Sequence, residues 1–128
     1  MNEPLPTRSE QPPDDALIVI RAGIMDSGNV ERATTQCFER YGLYAISIEA
    51  VIDMTVDEVC RTCPRLSQYR QVRLSTFGRL RAGPFALLAT FDATHYSVVL
   101  PDLSDLTIPR LVRCFDDPMP NPGLARSR

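Results

Sequence analysis

The sequence predicts one α+β domain, a mixed sheet of about five strands with three to four helices, between disordered termini. Three observations predict it. A chain of 128 residues has the length of a single domain. Between residues 16 and 115, apolar runs with strand character alternate with stretches of helical spacing, in the order βαβαβ(α)ββα. The flanks, a leader at residues 1–15 and a tail at 116–128, carry four and three prolines without apolar periodicity, so neither is expected to order itself.

Each element has its own signature. Residues 17–21 (LIVIR) form a continuous branched apolar run and read as a buried central strand. The turn-rich GIMDSGN at 23–29 follows it. Val30, Ala33, Cys37, Phe38 and Tyr41 then mark one helix face, with Asn29 as N-cap and Gly42 just past the end. Residues 43–50 (LYAISIEA) read as a second strand. Thr55 and Glu58 form a capping box that opens a short helix, and Pro64 ends it. Gln71–Ser75 reads as a third strand, with Val72 and Leu74 inward and Gln71, Arg73 and Ser75 outward. Residues 76–82 suggest one helical turn. Residues 85–91 and 95–100 flank Asp92-Ala93-Thr94 and read as a hairpin. A last helix covers about residues 105–114. Pro109 conflicts with a start at Ser104, and a start at Thr107 removes the conflict.

Composition bounds the object. Hydrophobic residues make up 44% and charged residues 23%; there is no Trp, so the core must be built mainly from aliphatic side chains. No apolar run approaches the roughly 20 residues that a membrane helix needs. The N-terminal stretch is acidic and Pro-rich, unlike a secretory signal, so the expected location is the cytoplasm, with no membrane partner. All fourteen basic residues are Arg. Without Lys, Schiff-base chemistry and a P-loop lysine are excluded.

The charge distribution is uneven. Residues 1–58 hold eleven acidic residues against four Arg. Between Glu58 and Asp92 there are six Arg (61, 65, 70, 73, 79 and 81) and no acid. A basic middle within a chain of net charge −2 points to an anionic partner. Tyr69, Phe77 and Phe85 are interleaved and could stack on bases. The opposing reading is that these arginines pair with the carboxylates of the first block.

Other motifs are weaker. Cys60-x-x-Cys63 has no further ligand close in sequence and falls at a helix C-terminus, the wrong end to lower a thiol pKa. Both cysteines also lie on the apolar stripe, so they read as buried thiols, and no metal site is expected. His95 is the only histidine, and nothing in sequence pairs it with a nucleophile. GIMDSG lacks the spacing of a phosphate loop and reads as a plain strand-to-helix connection.

The segments LIVIRAG (17–23), YGLYAIS (41–47), VRLSTFGRLRAG (72–83) and FALLATFDATHYSVVLPDLSD (85–105) resemble a group of small actinobacterial proteins. That group has no settled activity, so the resemblance carries no functional residue across. A fold-level likeness to toxin-type ADP-ribosyltransferases casts Arg21, Tyr44, Ser75 and His95 as pocket residues. It implies NAD as cofactor. No Glu follows Glu58, so a late catalytic Glu is absent.

Two functional expectations follow. The first is a non-enzymatic module that binds an acidic protein or nucleic acid through Arg70, Arg73, Arg79 and Arg81, without a cofactor. The alternative is a small toxin-like enzyme that uses NAD, with Arg21, Tyr44 and His95 around its pocket. The hairpin at 85–100 is apolar on both faces over part of its length, so it is expected to be covered on both sides, by its own helices or by a second chain as in a homodimer.

Overall fold

A computed structural model describes residues 2–11 and 14–124. It contains β1 (Ile18–Ala22), α1 (Ser27–Tyr41), β2 (Ala45–Ala50), α2 (Val56–Thr62), β3 (Gln71–Thr76), α3 (Phe77–Arg81), β4 (Ala86–Ala89), β5 (His95–Val99), α4 (Thr107–Arg113) and β6 (Met119–Pro120). The α+β class is as predicted. The sheet has six strands in the order β4-β5-β2-β1-β3-β6, one more than predicted, and every pairing between neighbours is antiparallel.

Local chemistry accounts for the helix ends. The side chain of Asp26, not the predicted Asn29, caps α1 by accepting the Asn29 N–H at 2.8 Å. Gly42 ends α1 in the left-handed region at φ 81°, a conformation that glycine adopts without a Cβ clash. The capping box of α2 is complete: Thr55 Oγ1 accepts the Glu58 N–H and Glu58 Oε1 accepts the Thr55 N–H. α4 starts at Thr107, so Pro109 falls in its first turn, where an N–H is not needed.

Both faces of the sheet are covered. Val19, Ile46, Ile48, Tyr96 and Val98 share one apolar cluster with Val30 of α1, Phe77 and Leu80 of α3 and Leu111 of α4. Ile20 and Val72 form a second cluster with Val59 and Cys60 of α2. The strand alternation expected for β3 assumed one solvated face. With α4 and the β1–α1 connection over the other face, Arg73 and Ser75 are buried as well.

Arg73 shows how a buried cation is accommodated here. Its guanidinium donates to the carbonyls of Asp116 (2.7 Å), Val112 and Phe115 (3.2 Å each), and Ile24 and Met25 (3.3 Å each). It thereby ties the end of α4 and the β1–α1 connection to the sheet, and carbonyl dipoles stand in for the water it has lost.

The described residues of the two flanks lie at the sheet edges. Thr7 bridges Thr90. Arg8 donates to the carbonyls of Thr90 (2.6 Å), Ala93 (2.9 Å) and His95 (3.0 Å). At the other edge, β6 pairs with β3, and Asn121 Nδ2 donates to the carbonyls of Leu66 and Tyr69.

Arg73→Met leaves five carbonyls without their donor and is expected to cost about 3 kcal/mol of stability. Arg79→Met, which breaks an exposed pair, is expected to cost less than about 1 kcal/mol. Urea unfolding midpoints compare the two; equal losses would contradict this role for Arg73.

Candidate functional site

The site begins with a parting in the sheet. β1 pairs with β3 over five residues but with β2 over only two, Val19 with Ala50 and Ile20 with Glu49. Beyond Ile20 the chain turns away through Gly23 at φ 85° and Met25 at φ 51°. Ser47 is therefore exposed on this side, although β2 is an inner strand hydrogen-bonded to β5. Arg21 reaches into the gap and donates its Nη1 to the Ser47 carbonyl at 3.0 Å.

Arg21 faces Arg73 directly across β1 and β3. Two like charges at such a pair repel, and the side chains separate, Arg73 towards α4 and Arg21 towards β2. Arg21 Nε is buried without any hydrogen-bond partner. Burial pulls the Arg21 guanidinium below its ordinary pKa, while the nearby Tyr69 phenol opposes that effect. A guanidinium has five N–H donors. The single acceptor at Ser47 leaves this one under-satisfied.

A cavity of about 750 Å³ opens beside Arg21. It is lined by Asn29, Arg32 and Gln36 of α1, by Arg65 and Tyr69 of the segment after α2, and by Glu49 of β2. Arg21, Arg32 and Arg65 face a single carboxylate there among the described residues. That carboxylate, on a residue only 2% exposed, is already engaged. Arg65 donates Nε to Oε2 at 2.6 Å and Nη2 to Oε1 at 3.2 Å, and Thr94 Oγ1 donates to Oε1 at 2.9 Å. Hydrogen bonding to Glu49 pushes the Arg65 pKa up, against the opposing effect of burial. Among the described residues that line it, the cleft thus carries a surplus of positive charge, and its single carboxylate is already hydrogen-bonded.

The sequence-predicted binding arginines do not form one donor set. Arg73 is consumed by carbonyls inside the fold. Arg79 pairs with Asp116 at 2.8 Å, and Arg81 pairs with Asp15. Arg70 is exposed at the start of β3, and its carbonyl accepts the Asn121 N–H. Arg65 also reaches Asp92 at 3.1 Å. Much of the basic middle is therefore answered by carboxylates from elsewhere in the chain.

The alternative trio does not line the large cavity together. Arg21 lines it, but Tyr44 and His95 do not. Tyr44 stacks on Phe38, with ring centroids 4.5 Å apart. His95 is buried, with Nδ1 2.7 Å from Thr90 Oγ1 and Phe91 edge-on to its ring. Ser75 Oγ donates to the Cys114 carbonyl. Cys60 and Cys63 are free thiols, and burial pushes Cys60 up to about 11, far from a reactive thiolate. Asp26 caps the turn at 23–28, so a carboxylate occupies the helix N-terminus that a phosphate would need. Arg32 and Arg65 join the site only through folding. The one local sign of it was Arg21, a charge that closes an otherwise apolar strand.

Comparison with protein-family models, with curated proteins and with solved structures finds no match for this chain. No helix among the described residues is long and apolar enough to cross a membrane.

Burial lowers the His95 pKa below its unfolded value of about 6.5. Below about pH 6.5 the unfolded chain takes the proton more readily than the folded one, so stability is lost as pH falls through that window. Urea midpoints measured from pH 7.5 down to 5.5 should fall more steeply in wild type than in His95→Gln; parallel slopes would contradict this.

Proposed function

We propose that the chain is a non-enzymatic binding module for a small anionic ligand, held in the cleft between β1, β2 and α1. Arg21 is the central contact and Arg32 supplies further positive charge, while Arg65 on the opposite wall is held by Glu49 and Asp92. The observation that carries this reading is the under-satisfied guanidinium of Arg21 at the base of the cavity. A half-buried cation with a buried, unpartnered Nε and one protein acceptor gains from any anion that supplies more. The cleft volume is in the range of small-molecule sites.

The anionic partner expected from the charge asymmetry is kept in this reading, but its contact moves. An acidic protein or a nucleic acid needs an extended basic surface, whereas Arg73, Arg79 and Arg81 are already engaged. A transferase reading needs a free acid or base beside Arg21. Glu49 is locked by three hydrogen bonds and His95 is buried elsewhere, which favours binding over catalysis.

Titration calorimetry with inorganic pyrophosphate tests the reading. Wild type should bind, and more weakly as salt rises. Arg21→Gln should weaken binding about 10- to 100-fold, the loss of a charge-assisted contact worth roughly 1.5–3 kcal/mol. Arg79→Gln should change nothing. Absence of binding, or equal affinity in Arg21→Gln, would overturn it.

A further inference from the structure

The anion cleft has a second compartment. A smaller cavity of about 300 Å³ shares Arg21, Ala33, Gln36 and Ser47 with the larger one. The two spaces therefore share a wall that includes Arg21. The compartments differ in character. The larger one holds Arg32 and Arg65. The smaller one is walled by Leu5, Cys37, Tyr41 and Phe91, and its other arginine, Arg40, pairs with Glu3 and lies over the Tyr41 ring.

Two aromatic rings form a corner in that wall. Tyr41 and Phe91 lie 6.4 Å apart between centroids at 68°. Phe91 is 42% exposed, so much of its ring is open. Its backbone sits at φ 56°, a conformation that bulky residues avoid. The chain enforces it: the Pro6 carbonyl accepts the Phe91 N–H at 3.0 Å, and Arg8 clamps the carbonyls of Thr90 and Ala93 on either side. An outlier held in place by its surroundings at a cavity wall is a mark of a functional position. The same N-terminal segment adds Leu5 to the wall. Gln36, on the shared boundary, offers an amide that can both donate and accept.

We propose that the cleft takes a nucleoside diphosphate, with its base in the smaller compartment against the exposed Phe91 ring and its phosphates at Arg21 and Arg32. The inference rests on the anion-binding reading above and adds the ring subsite. A flat heterocycle suits a compartment that offers an exposed aromatic ring beside polar side chains such as Gln36 and Ser97, because its faces are apolar and its rim hydrogen-bonds. A diphosphate suits two guanidiniums better than a single carboxylate does, since its oxygens can engage both at once.

The test compares pyrophosphate with ADP, GDP, CDP and UDP by titration calorimetry on wild type, Phe91→Ala and Cys37→Leu. The first variant removes a ring wall and the second fills the smaller compartment; circular dichroism checks both folds. At least one nucleoside diphosphate should bind ten-fold or more tightly than pyrophosphate. Both variants should bring it down to the pyrophosphate level while leaving pyrophosphate unchanged. If every nucleotide binds only as well as pyrophosphate, or if the variants leave nucleotide affinity intact, the ring subsite is wrong and the anion cleft stands. If pyrophosphate and nucleotides all fail to bind wild type, both readings fall.

Discussion

β1 leaves β2 after two paired residues, and a guanidinium enters the opening. Most of the candidate site depends on that early parting. Had the ladder continued, Ser47 would have been covered by β1 and its carbonyl taken by a strand N–H. Instead Ser47 is exposed on an inner strand, and Arg21 supplies the donor from the side. One charged side chain thus closes a gap in the sheet and, by the same placement, puts a half-buried cation in the wall of a cleft. The structural role and the proposed binding role share the same atoms, so a change that fills the gap also removes the candidate site.

The fate of the other arginines explains why charge counting along the chain misleads. Glu49 and Asp15 lie in the acidic first block, and each is paired with an arginine of the basic middle. The asymmetry in sequence is largely cancelled in space, as a chain of small net charge allows. Arg73 is handled differently: carbonyls replace a counter-ion, and the result is a strut between β3, α4 and the β1–α1 connection. A guanidinium is suited to that task because its donors point in several directions and it never loses its charge.

Local signals in the sequence were reliable, and long-range ones were not. The Thr55–Glu58 capping box, Gly42 and the Thr107 start forced by Pro109 each depend on residues within one helical turn. The cap of α1 was misplaced because Asp26 and Asn29 are both good caps three residues apart, and only the backbone decides between them. The wholly antiparallel order and the edge strand at Met119–Pro120 come from pairings between distant residues. Arg73 was read as outward because alternation tells which residues share a face and not whether that face is covered. The cleft itself gathers Arg21, Arg32 and Arg65 from three elements, and no spacing rule links them.

The most direct measurement follows the arginine side chains one by one. A ¹H–¹⁵N spectrum of the Nε–H groups, recorded while pyrophosphate is added, separates the cleft from the rest of the basic middle. A cleft centred on Arg21 predicts that Arg21 moves most, that Arg32 follows, and that Arg70, Arg79 and Arg81 stay still. Movement of the last three with Arg21 unchanged would contradict it.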